Sequence, residues 1–341
     1  MDHALTVELD RLLTRLRGYH PELDVVAATL QAFCAGGKRI RPILLLLGHR
    51  AGGDASDDAV MGPALALELL HTCALVHDDV IDRADTRRGR PTVHREYASL
   101  HADRRLRGDA DAFGRAVAIL VGDVAFTQAD DLFLRARVDD RRLLDGMRAF
   151  TALREEVMAG QYLDLVTSTT GEGDRAAVLQ VATLKSGRYS VTRPLEVGAV
   201  LAGGDATLIE GLRRFGDPLG RAFQVRDDLL GLFGQPESTG KSVQSDLAEG
   251  KHTLVIVEAL ERLDAAGRSR LSAMLGDPAL GEDDAAEARA LIERCGARSA
   301  AEAYVDASAA ESLAALDGLE VDEGVAMTLR HMAGRLTDRV S

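Results

Sequence analysis

Tryptophan is missing from this chain of 341 residues, and aromatic side chains make up only 4% of it. A core rich in stacked aromatics is therefore excluded. With 46% apolar residues a sizeable core still forms from Leu, Ala and Val, a composition that favours helices over strands. Cysteine is scarce: Cys34, Cys73 and Cys295 are widely spaced and form no metal-binding motif, as expected in a reducing, cytoplasmic compartment. No apolar run approaches the roughly 18 residues of a membrane span. The opening Met1-Asp2-His3-Ala4-Leu5 lacks the charged-then-apolar pattern of a secretory signal. Acids outnumber bases, 54 to 41, and the net charge of −13 argues against a nucleic-acid partner. Those acids either coat the surface or hold metals. Lysine is the scarcest charge, with Lys38, Lys185, Lys241 and Lys251 the only 4 among 41 basic residues. A chain that uses arginine nearly everywhere keeps lysine where a compact ammonium is needed.

What is present centres on His77 to Tyr97. The apolar run Ala64 to Val76 has helical spacing, so Asp78, Asp79 and Asp82 fall near the C-terminal end of a helix. Asp78 and Asp82, four apart, share a face, while Asp79 lies about 100° round. Carboxylates massed at the negative end of a helix dipole repel one another and the dipole, and so call for a cation. Hard oxygen donors in an incomplete set suit Mg²⁺, which keeps waters and substrate phosphates in its shell. Arg87 and Arg88 follow, and guanidinium forks match phosphate oxygens. Together these make a diphosphate site, although an isolated acid pair on a helix is commonly just a solvated face.

Elsewhere the spacing predicts helices over 2–17, 21–35, 111–137, 139–166, 211–233 and 253–263, with Ala- and Leu-rich helices from 264 to 341. Gly36-Gly37 breaks the second helix, and Lys38-Arg39-Ile40-Arg41-Pro42 opens the next; amides there, with Lys38 and Arg41, form an anion receptor. His71 lies on the face of Asp78 and Asp82. Gln161 and Asp164 are a polar pair in an apolar surround, readable equally as a hydrogen-bonded core pair. Thr183 to Gly187 reads as a helix break whose Lys185 could reach a phosphate. A second acid pair, Asp227-Asp228, follows Gln224, and a loop carrying Lys241 leads to Asp246 and Lys251. No strand, low-complexity segment or long linker is evident. The fold class expected is all-α, a single domain over 1–341, in which the two acid pairs face each other across a helical barrel.

These segments, in this order from Gly36 to about Leu254, resemble the trans-isoprenyl diphosphate synthases, or polyprenyl synthetases. The resemblance implies an all-α bundle around a deep cavity, a homodimer, and condensation of isopentenyl diphosphate with an allylic diphosphate. It implies Lys38, Arg41 and His71 as receptor for isopentenyl diphosphate. Asp78, Asp79 and Asp82 match the first aspartate-rich motif, Arg87 the arginine on the allylic diphosphate and Arg88 its neighbour on the isopentenyl side. Lys185 and Ser186 match a lysine and hydroxyl beside the nascent cation, and Gln161 and Asp164 a supporting pair. Gln224, Asp227 and Asp228 match the second motif, Lys241, Asp246 and Lys251 its downstream loop, and about three Mg²⁺ ions are implied with substrate bound. Two positions depart from the pattern: Gly231 stands where a third aspartate is common, and Ser245 replaces an acid often found before Asp246. A weaker third metal site follows, and a need for more Mg²⁺.

Cys73 and Ala74, five and four residues before Asp78, are small where family members that stop at C15 carry a bulky aromatic. The expected product is C20 geranylgeranyl diphosphate, with C25 or longer the alternative. The changed second motif leaves a terpene-synthase-like cyclase as a rival, against which the intact Lys38, Arg41 and His71 argue. An HD-type phosphohydrolase would need further His and Asp ligands, and a regulatory subunit would have lost acids from both motifs.

Overall fold

The computed structural model describes residues 1–234, 247–277 and 279–338. Its internal contacts gather into two compact units, one of Met1–Leu46 with Ser56–Leu143, the other of Leu47–Ala55 with Leu144–Ser341. Among the described residues no helix is long and apolar enough to cross a membrane.

In the first unit, α1 (Asp2–Tyr19) buries Leu5, Leu9 and Leu12, a stripe at helical spacing, and packs on α2 (Asp24–Cys34). After α3 (Ile40–Ala51) comes α4 (Met61–Ile81), whose residues from Pro63 to Leu70 are all buried. A helix apolar on every side belongs inside, and α4 is the core of this unit. Its main neighbour is α6 (Ala110–Phe133), which α5 (Val93–Asp103) also packs against. One small ribbon interrupts the helices: β1 (Thr86–Arg87) pairs antiparallel with β2 (Arg90–Pro91). Arg88 and Gly89, at φ +53° and +72°, form its two-residue turn, which needs left-handed backbone at both positions. Strands of two residues are too short for alternation to register in a sequence, which is why a strand-free reading missed them.

The second unit holds most of α7 (Asp140–Thr170), then α8 (Arg175–Val181), a π-helical segment (Ala182–Thr192), α9 (Arg193–Ala202) and α10 (Ala206–Phe233). Five further helices follow among the described residues: α11 (Leu254–Arg262), α12 (Ala265–Met274), α13 (Glu282–Arg294), α14 (Ala297–Asp317) and α15 (Glu323–Thr337). Val225, Leu229 and Leu232 of α10 share a core with Leu254–Val257 of α11 and with Ala297, Ala301 and Val305 of α14. The expected break at Thr183 to Gly187 is not there. The helix continues with the wider turns of a π-helix, a form that recurs at functional sites.

Gly48, on the end of α3 that belongs to this second unit, shows how tightly the unit is drawn together. A Cβ there would lie 2.0 Å from the carbonyl oxygen of Leu195 on α9, so backbone meets backbone. Gly48→Ala is expected to lower stability by about 3 kcal/mol, whereas Gly18→Ala, where a Cβ meets nothing within 4 Å, should stay within about 1 kcal/mol of the parent. Urea midpoints check this, and equal midpoints would contradict it.

Candidate active site

The C-terminal end of α4 carries Asp78 and Asp79, and Asp82 caps it, its N–H donating to the Asp78 carbonyl at 2.8 Å. Asp79 is 1% exposed and points at the ribbon. There Arg87 donates from Nε to Asp79 Oδ1 at 2.7 Å and from Nη2 to Asp78 Oδ2 at 3.3 Å. Burial alone would lower the Arg87 pKa, but the hydrogen bond and charge of Asp79, with Asp78 and Asp82, hold it above its ordinary value. Arg87 thus sets a positive charge beside the carboxylates at this helix end. Thr92, fully buried, fixes the connecting loop by donating from its hydroxyl to the Ala84 carbonyl at 2.7 Å.

His77 faces the other way, toward α6. Its Nε2 sits 3.1 Å from the Ile119 carbonyl, and a Cβ on Gly122 would come within 2.1 Å of that nitrogen, so only glycine admits the ring. Cys73 Sγ lies 3.7 Å from His77 Nδ1. Burial, then the charge of Asp123, pushes the Cys73 thiol up to about 12, so it is a small neutral group. Ala74 beside it is half-buried.

A cationic cluster surrounds His71. Desolvation, followed by the charges of Arg41, Arg88, Arg87 and Arg39, drives its imidazole well below the ordinary value, so the ring is neutral. Lys38 is exposed and precedes α3, while Arg41 lies in its first turn. Sequence reasoning passed over Arg39 and Glu68, which pair here at 2.5 Å. The available signal was an acid at position 68 inside an otherwise apolar run.

In the second unit, Lys185 Nζ donates to Asp164 Oδ2 at 2.6 Å. Asp164 therefore serves the lysine of the π-helical segment, a partner its sequence setting beside Gln161 did not reveal. Three backbones converge there: a Cβ on Gly160 of α7 would lie 2.3 Å from Lys185 N, and one on Gly220 of α10 would lie 2.6 Å from Gly187 Cα. Ser186 and Gln161 are half-buried. On α10, Gln224 Nε2 donates to Asp228 Oδ1 at 2.7 Å, one turn on, and Asp227 is half-buried. Lys251 is paired with Glu249. Lys241, Ser245 and Asp246 lie outside the described residues.

Among the described residues no three His, Cys, Asp or Glu side chains converge as a ready metal cage. Mg²⁺ commonly takes one or two carboxylates and completes its shell with water and substrate phosphate. Asp78, Asp79 and Asp82 offer only oxygen donors, a chemistry such an ion would accept.

The description "Polyprenyl synthetase" belongs to the family model that matches residues 24–292. The chain belongs to that family. It is 34% identical over 322 residues to a short chain isoprenyl diphosphate synthase of Methanothermobacter thermautotrophicus, covering 93% of this chain and 92% of the relative. It is 35% identical over 279 residues to a geranylfarnesyl diphosphate synthase of Aeropyrum pernix, 81% of each. A crystal structure of geranylgeranyl pyrophosphate synthase from Corynebacterium glutamicum, complexed with isoprenyl diphosphate and magnesium, superimposes with a TM-score of 0.95 at 34% identity, covering 99% of this chain and 97% of that one. Other relatives are named as geranylgeranyl and farnesyl diphosphate synthases. The protein is a trans-prenyltransferase that makes a prenyl diphosphate.

Asp79→Asn removes the charge closest to the Arg87 guanidinium. In metal-free buffer it is expected to cost about 2 kcal/mol in urea unfolding; an unchanged midpoint would show that Arg87 is held by other means.

Proposed function

We propose that this enzyme condenses isopentenyl diphosphate with an allylic diphosphate to give all-trans geranylgeranyl diphosphate, and that 1–341 acts as one domain with its site residues within 36–254. The carrying observation is the cluster of Arg41, Arg87 and Arg88 around His71, on the same unit as the carboxylates of Asp78, Asp79 and Asp82. Anion receptor and metal-type donors are what two diphosphates require.

In this reading Lys38, Arg41, His71 and Arg88 bind isopentenyl diphosphate, and Arg87 turns from its carboxylates to the allylic diphosphate. Asp78, Asp79, Asp82, Asp227, Asp228 and Asp246 would hold Mg²⁺. When bound, that metal supplies positive charge to the departing diphosphate. Lys185, released from Asp164, and Lys241 and Lys251 neutralise charge as the allylic carbon–oxygen bond breaks, while Ser186 and Gln224 line the nascent cation. The isopentenyl double bond then forms the new carbon–carbon bond, and a proton passes from the isopentenyl unit to the released diphosphate. Prenyl diphosphate and protonated diphosphate result, with no covalent enzyme intermediate. A dry site protects the cation from water. Gly231 in place of a third acid supports a higher Mg²⁺ requirement.

Two further features extend the reading. Met158, Tyr162, Leu165 and Val166 expose one apolar stripe of α7, which supports a homodimer of the kind solution mass reads directly. Small, neutral Cys73 and Ala74 on α4 support a product beyond C15.

Incubation with isopentenyl diphosphate, each of the C5, C10 and C15 allylic diphosphates and Mg²⁺, with products resolved by mass, tests the function. Chain extension to C20 is expected; a cyclised hydrocarbon, or no extension, would overturn it. Cys73→Phe is expected to shift the product to C15, and an unchanged product would place the wall elsewhere.

A further inference from the structure

Glu68 is a carboxylate where an anion should bind. It is 8% exposed, lies one turn before His71 on α4, and so shares its face. Its Oε1 accepts from Arg39 Nη1 at 2.5 Å, and both side chains are 10% exposed. Arg39 also donates from Nη2 to the Cys34 carbonyl at 2.8 Å and from Nε to Asp2 Oδ1 at 2.9 Å. Each of the three guanidinium nitrogens thus has a protein partner. Its other property is its backbone: Arg39 has φ +50°, following Gly36 at +77° and Gly37 at +104°. A side-chain-bearing residue in that region costs roughly 1 kcal/mol or more and persists only when its surroundings enforce it.

What enforces it is a chain of contacts from α2 to α4. Cys34 Sγ lies 3.2 Å from Thr72 Oγ1, the Cys34 carbonyl holds Arg39, and Arg39 holds Glu68. A Cβ on Gly37 would sit 3.9 Å from Glu68 Oε1 and 4.0 Å from Arg88 Nη2, so the glycine turn, the acid and the ribbon arginine are neighbours. Lys38 and Arg41 flank the residue so fixed.

We propose that the Glu68–Arg39 pair is a positioning device for isopentenyl diphosphate: it locks the turn of residues 36–39, left-handed at Gly36, Gly37 and Arg39, and so sets Lys38 and Arg41 toward the diphosphate that His71 and Arg88 also address. The inference rests on the assignment of this cluster to isopentenyl diphosphate. The carboxylate does not bind ligand; it withdraws Arg39 from the receptor and turns that arginine into a brace.

The test is steady-state kinetics on the full chain with each substrate varied in turn, alongside calorimetry of isopentenyl diphosphate alone. Glu68→Gln is expected to raise KM for isopentenyl diphosphate, and its dissociation constant, about tenfold, with KM for the allylic diphosphate and kcat changed less than about twofold. Arg39→Gln should match it, and the double variant should be no worse than the weaker single, since the two act as one unit. Should Glu68→Gln not fold, as judged by thermal melting, Arg39→Lys carries the same test by losing the fork while keeping the charge. Unchanged affinity in a folded variant, or equal loss for both substrates, would overturn the positioning role. A parent enzyme that binds no isopentenyl diphosphate would instead overturn the assignment of the cluster.

Discussion

Carboxylates gathered at the negative end of a helix must meet positive charge, and much of the first unit is arranged around that requirement. Asp78, Asp79 and Asp82 end α4, which is buried along most of its length and held against α6. Arg87 satisfies them from a two-stranded ribbon whose turn also projects Arg88. On the proposed function, the same pair would be divided between metal and diphosphate, the carboxylates going to the one and Arg87 to the other. Buried pairs of this kind contribute little net stability, yet breaking one is costly.

Much of this could be read in the residues. The length and position of α4, the placement of its acids near the helix end, and the different setting of Asp79 from its neighbours follow from spacing alone. The ribbon did not, because two residues per strand carry no alternation and Arg88-Gly89 is not the common turn pair. The π-helix was taken for a break because Lys185-Ser186-Gly187 carries weak helix formers; the close approach of Gly187 to Gly220, 33 residues on, is a tertiary fact that no local pattern holds. Arg39 was passed over because its neighbours Lys38 and Arg41 carried the resemblance, and Glu68 because one acid in an apolar run attracts less notice than a pair.

Across both units glycine and charge act together. Gly122 admits the His77 ring that ties α4 to α6, and Gly160 and Gly220 crowd the backbone around Lys185. Close approach of helices fixes the cationic groups without large side chains, in keeping with a chain poor in aromatics. Asp164 holds the Lys185 ammonium as Glu68 holds Arg39 in place.

The most direct measurement is the melting temperature of the full chain with inorganic diphosphate, Mg²⁺, or both, for the parent and for Asp78→Asn/Asp82→Asn. If the α4 acids hold metal for a diphosphate, the two additives together raise the parent's melting temperature well beyond the sum of either alone, and the variant loses that excess. Equal stabilisation of parent and variant, or the full effect from diphosphate without metal, would contradict the account.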